Sequence, residues 1–267
     1  MSVNNRFEQR FFARFAGAIW FSMIAAMVAF SNSLAPAAMP KGSSAKSLKP
    51  RAAGAIRESV DLPVDLFQAI DAGQIDAKFI PKDSTQAQVL IANRTKKPLS
   101  VRLPEAFAGM PLLKQVGGGG GGQSVGGGFG GGGGGGGFFN VPAEKTVKLK
   151  VACVCLEHGK AEPRPAMPYE IRPISEATTE PAVAELCKLL GAGRVDQRAA
   201  QAAAWHLAND MSWQQLAAKE LIYADGRRES YFAAHELLLA AKLAETAESQ
   251  AQRRADASMA KEELESN

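Results

Sequence analysis

Apolar positions along this chain change their period near residue 178, and the change predicts two kinds of structure. Before it they alternate. Residues 77–80, 87–92 and 99–103 are short apolar-rich runs separated by Pro81-Lys82-Asp83-Ser84 and Asn93-Arg94-Thr95-Lys96-Lys97-Pro98, both made of turn-forming residues. In the third run Leu99, Val101 and Leu103 alternate with Ser100 and Arg102, the pattern of a strand with one buried face. Val147, Leu149, Val151, Cys153 and Cys155 share one face of a longer strand, with Lys148 and Lys150 opposite. Between Ala152 and Leu156 both faces are apolar, so this strand is expected to run into a covered part of the sheet. Residues 169–174 predict a last strand, and residues 65–70 a short helix stopped by Gly73.

After residue 178 the period is helical. Thr179-Glu180-Pro181 is a helix start, and Val183, Leu186, Cys187 and Leu190 follow at i, i+3, i+4 and i+7 before Gly191. An alanine-rich second helix is predicted over 195–208. Ser212 and Gln215 form a capping box for a third, over 213–221. A fourth begins near Ser230 and carries Phe232, Leu237, Leu238, Leu239 and Leu243. Beyond about Gln250 charges dominate, and the end is expected to fray. The expected architecture is α+β. A small antiparallel β-sandwich of immunoglobulin type spans 61–175, a four-helix module spans 178–250, and a polar C-terminal tail covers 251–267.

The predicted sandwich is interrupted by a Gly-rich loop insertion. Residues 117–137 contain 17 glycines, broken only by Gln123, Ser124, Val125 and Phe129. Glycine loses the most backbone entropy on ordering and buries no side chain, so the tract is expected to stay mobile, with its removal leaving stability unchanged. No Lys-Ser/Thr pair follows it, which excludes a phosphate-binding loop. Phe129, Phe138 and Phe139 offer weak self-association as a second reading of the tract.

The N-terminus reads as an address. Arg6, Arg10 and Arg14 precede an uncharged run, residues 15–30, and Ala35-Pro36-Ala37 supplies small residues for cleavage. A basic start, a short apolar core and such a site make a signal peptide over 1–37. At ~1.5 Å per residue the run reaches only about 24 Å, short of a ~30 Å bilayer core. Residues 38–60 lack periodicity and read as a flexible linker. Export to the periplasm, the cell surface or the medium is expected, with membrane contact only through the signal segment before cleavage.

Composition narrows the picture further. A hydrophobic share of 46% excludes a disordered chain, and a mean hydropathy of -0.11 excludes a polytopic membrane protein. The net charge is +4 over 267 residues, of which the three N-terminal arginines and Glu8 supply +2, leaving no argument for nucleic acid.

Cys153-Val154-Cys155-Leu156-Glu157-His158 is the densest cluster of reactive side chains. As a metal site it offers two thiolates and an imidazole, but zinc loops space their cysteines by two to four residues and these are separated by one. No third group orients a Cys155–His158 nucleophile pair. The plain reading is buried strand cysteines. In an oxidising compartment Cys187 is expected to bridge to Cys153 or Cys155, leaving one of the three cysteines free. His206, Asn209 and Asp210 belong to a helix end, and Glu262, Glu263 and Glu265 solvate the tail. No catalytic residue and no cofactor is expected.

The spacing Gln201-Ala-Ala-Ala-Trp205 resembles the glutamine-bearing segment of the thioester domains of bacterial surface adhesins. That resemblance implies a bond between Gln201 and Cys153 or Cys155, although these cysteines lack the aromatic flank of that family. Several longer stretches resemble a group of uncharacterised exported proteins of planctomycete bacteria. They are Asp71-Ala-Gly-Gln-Ile-Asp76, Asn93-Arg-Thr-Lys-Lys-Pro-Leu-Ser-Val-Arg-Leu-Pro104, the glycine tract, Cys155-Leu-Glu-His-Gly-Lys160 and Gln201-Ala-Ala-Ala-Trp-His-Leu207. The resemblance implies secretion and a two-part design, and no reaction. The expected function is therefore an exported, non-enzymatic binding or structural protein of the cell envelope, with an envelope or extracellular partner yet to be identified. The alternatives are an adhesin-like protein with a Cys–Gln thioester and a periplasmic metal-binding protein using Cys153, Cys155 and His158.

Overall fold

The alternating runs become strands that close on themselves. The computed structural model describes residues 62–112, 122–130 and 137–266, all in the unit Ile56–Asn267. The expected signal segment and linker lie outside the described residues. Strand β1 (Val64–Asp65) leads into α1 (Leu66–Asp71), whose N-terminus is capped by the Asp65 carboxylate accepting from Phe67 and Gln68 N–H. Gly73, at φ +67°, ends that turn. Then come β2 (Ile75–Pro81), β3 (Gln86–Asn93), β4 (Leu99–Arg102), β5 (Phe107–Pro111) and β6 (Val125–Gly127). β7 (Phe138–Val141), β8 (Thr146–Cys155) and β9 (Tyr169–Pro173) complete the main sheets. The second half holds α2 (Pro181–Gly191), α3 (Gln197–Asn209), α4 (Trp213–Ala217), the hairpin β10 (Glu220–Ile222) to β11 (Arg228–Ser230), and α5 (Ala234–Ser266).

Six strands in the order β2-β3-β8-β6-β5-β9 form a closed antiparallel barrel, and β1, β4 and β7 make a separate three-stranded sheet. This corrects the expected immunoglobulin-like sandwich. The pairing that closes the ring is Phe79 of β2 with Tyr169 of β9. Alternation sends Phe79, Val89, Ile91, Phe107, Val125, Cys153, Cys155, Tyr169 and Ile171 inward, all buried. The interior is therefore a packed core. Phe79 meets Phe107 edge-on at 6.0 Å and Tyr169 at 5.9 Å, and a Cβ at Gly109 would fall 2.5 Å from the Phe79 ring across the lumen.

The larger correction concerns the glycine tract. Part of it, Val125–Gly127, is the barrel strand β6, hydrogen-bonded between β5 and β8 and fully buried. What it needs from glycine is thickness. On the inner side a Cβ at Gly127 would lie 2.8 Å from the Phe107 ring. On the outer side a Cβ at Gly126 would lie 2.6 Å from Cys187 Sγ on α2. Just beyond β6, a Cβ at Gly128 would lie 2.5 Å from the carbonyl oxygens of both Cys187 and Glu105, and one at Gly191 would lie 2.4 Å from the Gly128 carbonyl carbon. Main chain meets main chain here, and only glycine permits that approach. Phe129 stacks on Phe107 at 4.7 Å rather than reaching outward. Residues 117–121 and 131–136 lie outside the described residues.

The helices lie against the outside of the β6–β8 wall and share one hydrophobic core with the barrel. Alanines at 199, 200, 202, 203 and 204 of α3 and at 240, 244 and 247 of α5 are buried, so these helices meet through small side chains. The four-helix module expected from sequence is corrected to three longer helices, α2, α3 and α5, packed on a barrel, with α4 cut to five residues. The third predicted helix stops at Ala217 as α4, and the exposed hairpin β10–β11 takes the place of its second half. The C-terminus does not fray: α5 runs 33 residues to Ser266. Arg254 explains its continuation past Gln250, since its Nε lies 2.8 Å from Glu185, a carboxylate of α2 that is only 3% exposed. Lys188 completes that ion cluster at 2.7 Å.

Gly128→Ala is expected to lower stability by about 1–3 kcal/mol through overpacking, seen as a fall of several degrees in the thermal midpoint. Removal of 117–137 takes β6 with it and is expected to prevent folding. An unchanged midpoint in either variant would mean that β6 is dispensable to the wall.

Candidate functional site

The side chains singled out by sequence gather at one seam, where α3 lies along the last residues of β8. β3 accompanies β8 only as far as the pair Gln86–Ala152. Past that point one edge of β8 has no strand beside it. Cys153 N–H finds the Thr85 carbonyl at 2.8 Å, and α3 supplies the remaining partners. Gln197 Nε2 donates to the Cys153 carbonyl at 2.9 Å. Gln201 accepts from Cys155 N–H at 2.8 Å and donates to the Cys155 carbonyl at 2.9 Å. Asn209 accepts from His158 N–H at 2.9 Å and donates to the Leu156 carbonyl at 3.0 Å. Two periodicities make this ladder. A step of four residues advances a helix by ~6.0 Å, and a step of two advances a strand by ~6.7 Å. Gln197 and Gln201 therefore keep pace with Cys153 and Cys155, alternate residues of β8, and Trp205 and Asn209 carry the same helix face past the end of the strand.

Trp205, the ladder member without a main-chain partner on β8, anchors an aromatic and cationic cluster at the open end of the seam. The His158 ring meets Trp205 at 4.8 Å and 79°, and Tyr231 and Phe232 lie 5.5 and 5.8 Å from it. Lys219 Nζ sits 5.3 Å above the Trp205 ring, 5.0 Å above Tyr231, and 3.0 Å from His158 Nε2. Arg198 lies over Tyr231 and Phe232, donates to the Tyr231 carbonyl, and pairs with Glu236 at 2.8 Å. Burial and then the neighbouring Lys219 charge hold His158 below its ordinary value. It is neutral at pH 7, and the Lys219 ammonium donates to its Nε2 lone pair, which assigns the ring proton to Nδ1.

The structure separates the members of the Cys153–His158 cluster. Cys153 and Cys155 point into the barrel, whereas His158 lies on the turn outside it against Trp205. Among the described residues no three His, Cys, Asp or Glu side chains converge on one point. Cys187 lies on α2 beyond the outer surface of Gly126, so the β6 main chain stands between it and Cys153. All three thiols are free and buried. Burial pushes Cys155 and Cys187 up to about 12 and Cys153 well above its ordinary value, which keeps them protonated and poorly nucleophilic. The Gln201 amide engages the main chain of Cys155, while Cys155 Sγ faces the Ser84 carbonyl at 3.9 Å. His206 bonds the Met211 carbonyl at 2.7 Å and stacks on Trp213, so it closes the end of α3.

The adhesin resemblance paired Gln201 with Cys153 or Cys155 through a thioester, and the structure puts Gln201 on the main chain of Cys155; Gln197, Lys219 and Tyr231 were missed, and Asn209 was given only a helix-end role. The repeat of amide or indole at every fourth residue of α3 was the visible signal. No protein-family model, curated protein or solved structure matches the chain.

Replacing Gln201 with Leu strands a buried N–H and a buried C=O, each worth ~1–3 kcal/mol, so the urea midpoint should fall by about 3 kcal/mol equivalent. A loss under about 0.5 kcal/mol, within ordinary surface-substitution scatter, would remove the ladder from the account of stability. The second prediction concerns pH. An unfolded histidine takes its proton near ~6.5, while folded His158 resists until lower pH, so its contribution is intact above that value and declines as pH falls through it. The stability difference between wild type and His158→Gln should shrink from pH 7.5 to about pH 5.5. A constant difference would show that His158 is not held neutral.

Proposed function

We propose that this chain is an exported, non-enzymatic binding or structural protein of the cell envelope. One observation carries the reading: the groups with chemical potential are engaged in holding the molecule together. The amides of Gln197 and Gln201 bind the main chain of β8 and that of Asn209 the turn after it, His158 Nε2 is occupied by Lys219, and the cysteines are buried thiols. The barrel is filled by Phe79, Phe107 and Tyr169, so it acts as a rigid support and recognition falls to its surface. The N-terminal signal pattern supports export.

The adhesin reading has less support, because both atoms of the Gln201 amide are already bonded to Cys155 main chain. The metal reading would require Cys153 and Cys155 to turn out of the barrel toward His158.

Intact mass of the protein recovered from its native exporting cell tests the proposal. A mature chain beginning near Ala38, with an unmodified Gln201 peptide, is the expected result. A full-length chain would overturn the reading of a cleaved exported protein. A mass short by one ammonia, with Gln201 joined to a cysteine peptide, would replace it with covalent adhesion.

A further inference from the structure

Among the described residues, the outer faces of β2, β3 and the first half of β8 form an exposed wall, beyond the part of β8 that α2 and α3 cover. Their register places Lys78, Leu90 and Lys148 in one cross-strand row and Ile80, Gln88 and Lys150 in the next. The alternation that turns Phe79 and Val89 inward turns these six outward. The three lysines are exposed; Leu90 and Gln88 are half-buried on the middle strand between them, and Ile80 is half-buried at the fourth corner of the patch. At strand geometry Lys148 and Lys150 stand about 7 Å apart along β8, and Lys78 lies about 10 Å across from Lys148.

No ion pair neutralises Lys78, Lys148 or Lys150 among the described residues. The acid of the adjoining row, Asp76, is already taken by Arg94 at 2.6 Å. Lys145, Lys96 and Lys97 continue the cationic track past the β3–β8 end, where Glu144 also lies. Elsewhere several surface cations are paired with acids. On the β10–β11 hairpin, Arg227 and Arg228 pair with Glu229 and Glu220 at 2.6 and 2.9 Å, and on α5 Lys261 lies 3.6 Å from Glu265.

We propose that this wall binds an acidic polysaccharide, whose successive carboxylates pair with Lys150, Lys148 and Lys78 while its sugar rings lie on Leu90 and Ile80. Charge complementarity selects a polyanion, and the rest of the face selects which one. It carries no aromatic ring to stack a base and no arginine fork to read one. It presents no exposed large apolar side chain to enter a bilayer. Leu90, set between the amines of Lys78 and Lys148, and Ile80, next to Lys78 on the same face of β2, give hydrocarbon beside regularly spaced charges, which suits a chain of sugars bearing repeated carboxylates. The inference rests on the reading of the chain as an exported binding protein and names the class of its partner.

The test uses the mature protein and three probes: alginate as the uronate polymer, single-stranded DNA, and vesicles of phosphatidylglycerol with phosphatidylcholine. Alginate should be bound at low salt, with binding falling steeply toward ~0.5 M salt as screening shortens. K78Q/K148Q/K150Q should weaken alginate binding at least tenfold with an unchanged thermal midpoint. K78R/K148R/K150R should retain binding, and so should K242Q/K261Q on α5. The proposal is overturned if the triple glutamine variant still binds, if DNA or vesicles bind more tightly than alginate, or if none of the probes binds. These outcomes are independent of the export test: a correctly cleaved chain that ignores alginate defeats this inference alone, and an uncleaved chain that binds it defeats the export reading alone.

Discussion

A buried main-chain N–H or C=O must find a partner, and β8 outruns β3 before it has left the core. The helices packed on that end of β8 are arranged around the shortage. α3 supplies amide side chains at the pitch of the strand, and the buried alanines among its intervening positions let the helix come close enough for glutamine and asparagine arms to reach. α5 then packs on those alanines with its own at 240, 244 and 247. The aromatic cluster around Trp205 grows where the ladder leaves the strand, because Trp205 occupies the step at which β8 has given way to a turn.

The opposite edge of the same strand is governed by space. β6 has to fit between the Phe107 ring on one side and α2 on the other, and Gly126 and Gly127 leave room for both. Ordering glycine is entropically expensive. Here the expense is offset by the groups that glycine lets come together: the core aromatics inside, Cys187 and Leu156 outside, and the main chain of Gly191 against Gly128. Flexibility and close approach are both properties of a missing side chain, and at β6 it is close approach that the fold uses.

What the sequence made legible follows from this. β8 and β9 could be read because each carries its own contrast between faces, as in Val147 and Leu149 against Lys148 and Lys150, and β2 and β3 because turn residues bound their apolar runs. β6 could not, because its buried character belongs to its neighbours: Phe107, Cys187 and Leu156 supply the contacts. The choice between sandwich and barrel depended on whether Tyr169 pairs with Phe79, a long-range relation that no local pattern carries. The length of α5 was hidden for a related reason, since Arg254 looks like a solvated charge until Glu185 is found beneath it. At the seam, the adhesin resemblance named Gln201 with Cys153 or Cys155, and implied a bond to the wrong atoms. Gln201 does meet Cys155, but through the peptide groups on either side of the thiol-bearing carbon.

The matched pitch of α3 and β8 also constrains how such a chain can change through descent. One residue inserted between Gln197 and Gln201 would rotate the following amides by about 100° and carry them off the strand. One residue inserted in β8 would exchange its inner and outer faces. The two segments, whose bonded positions lie 46 residues apart at Cys155 and Gln201, therefore have to be inherited as a length-locked pair. Gains and losses of residues are expected to fall in the connections between elements, where no register has to be kept.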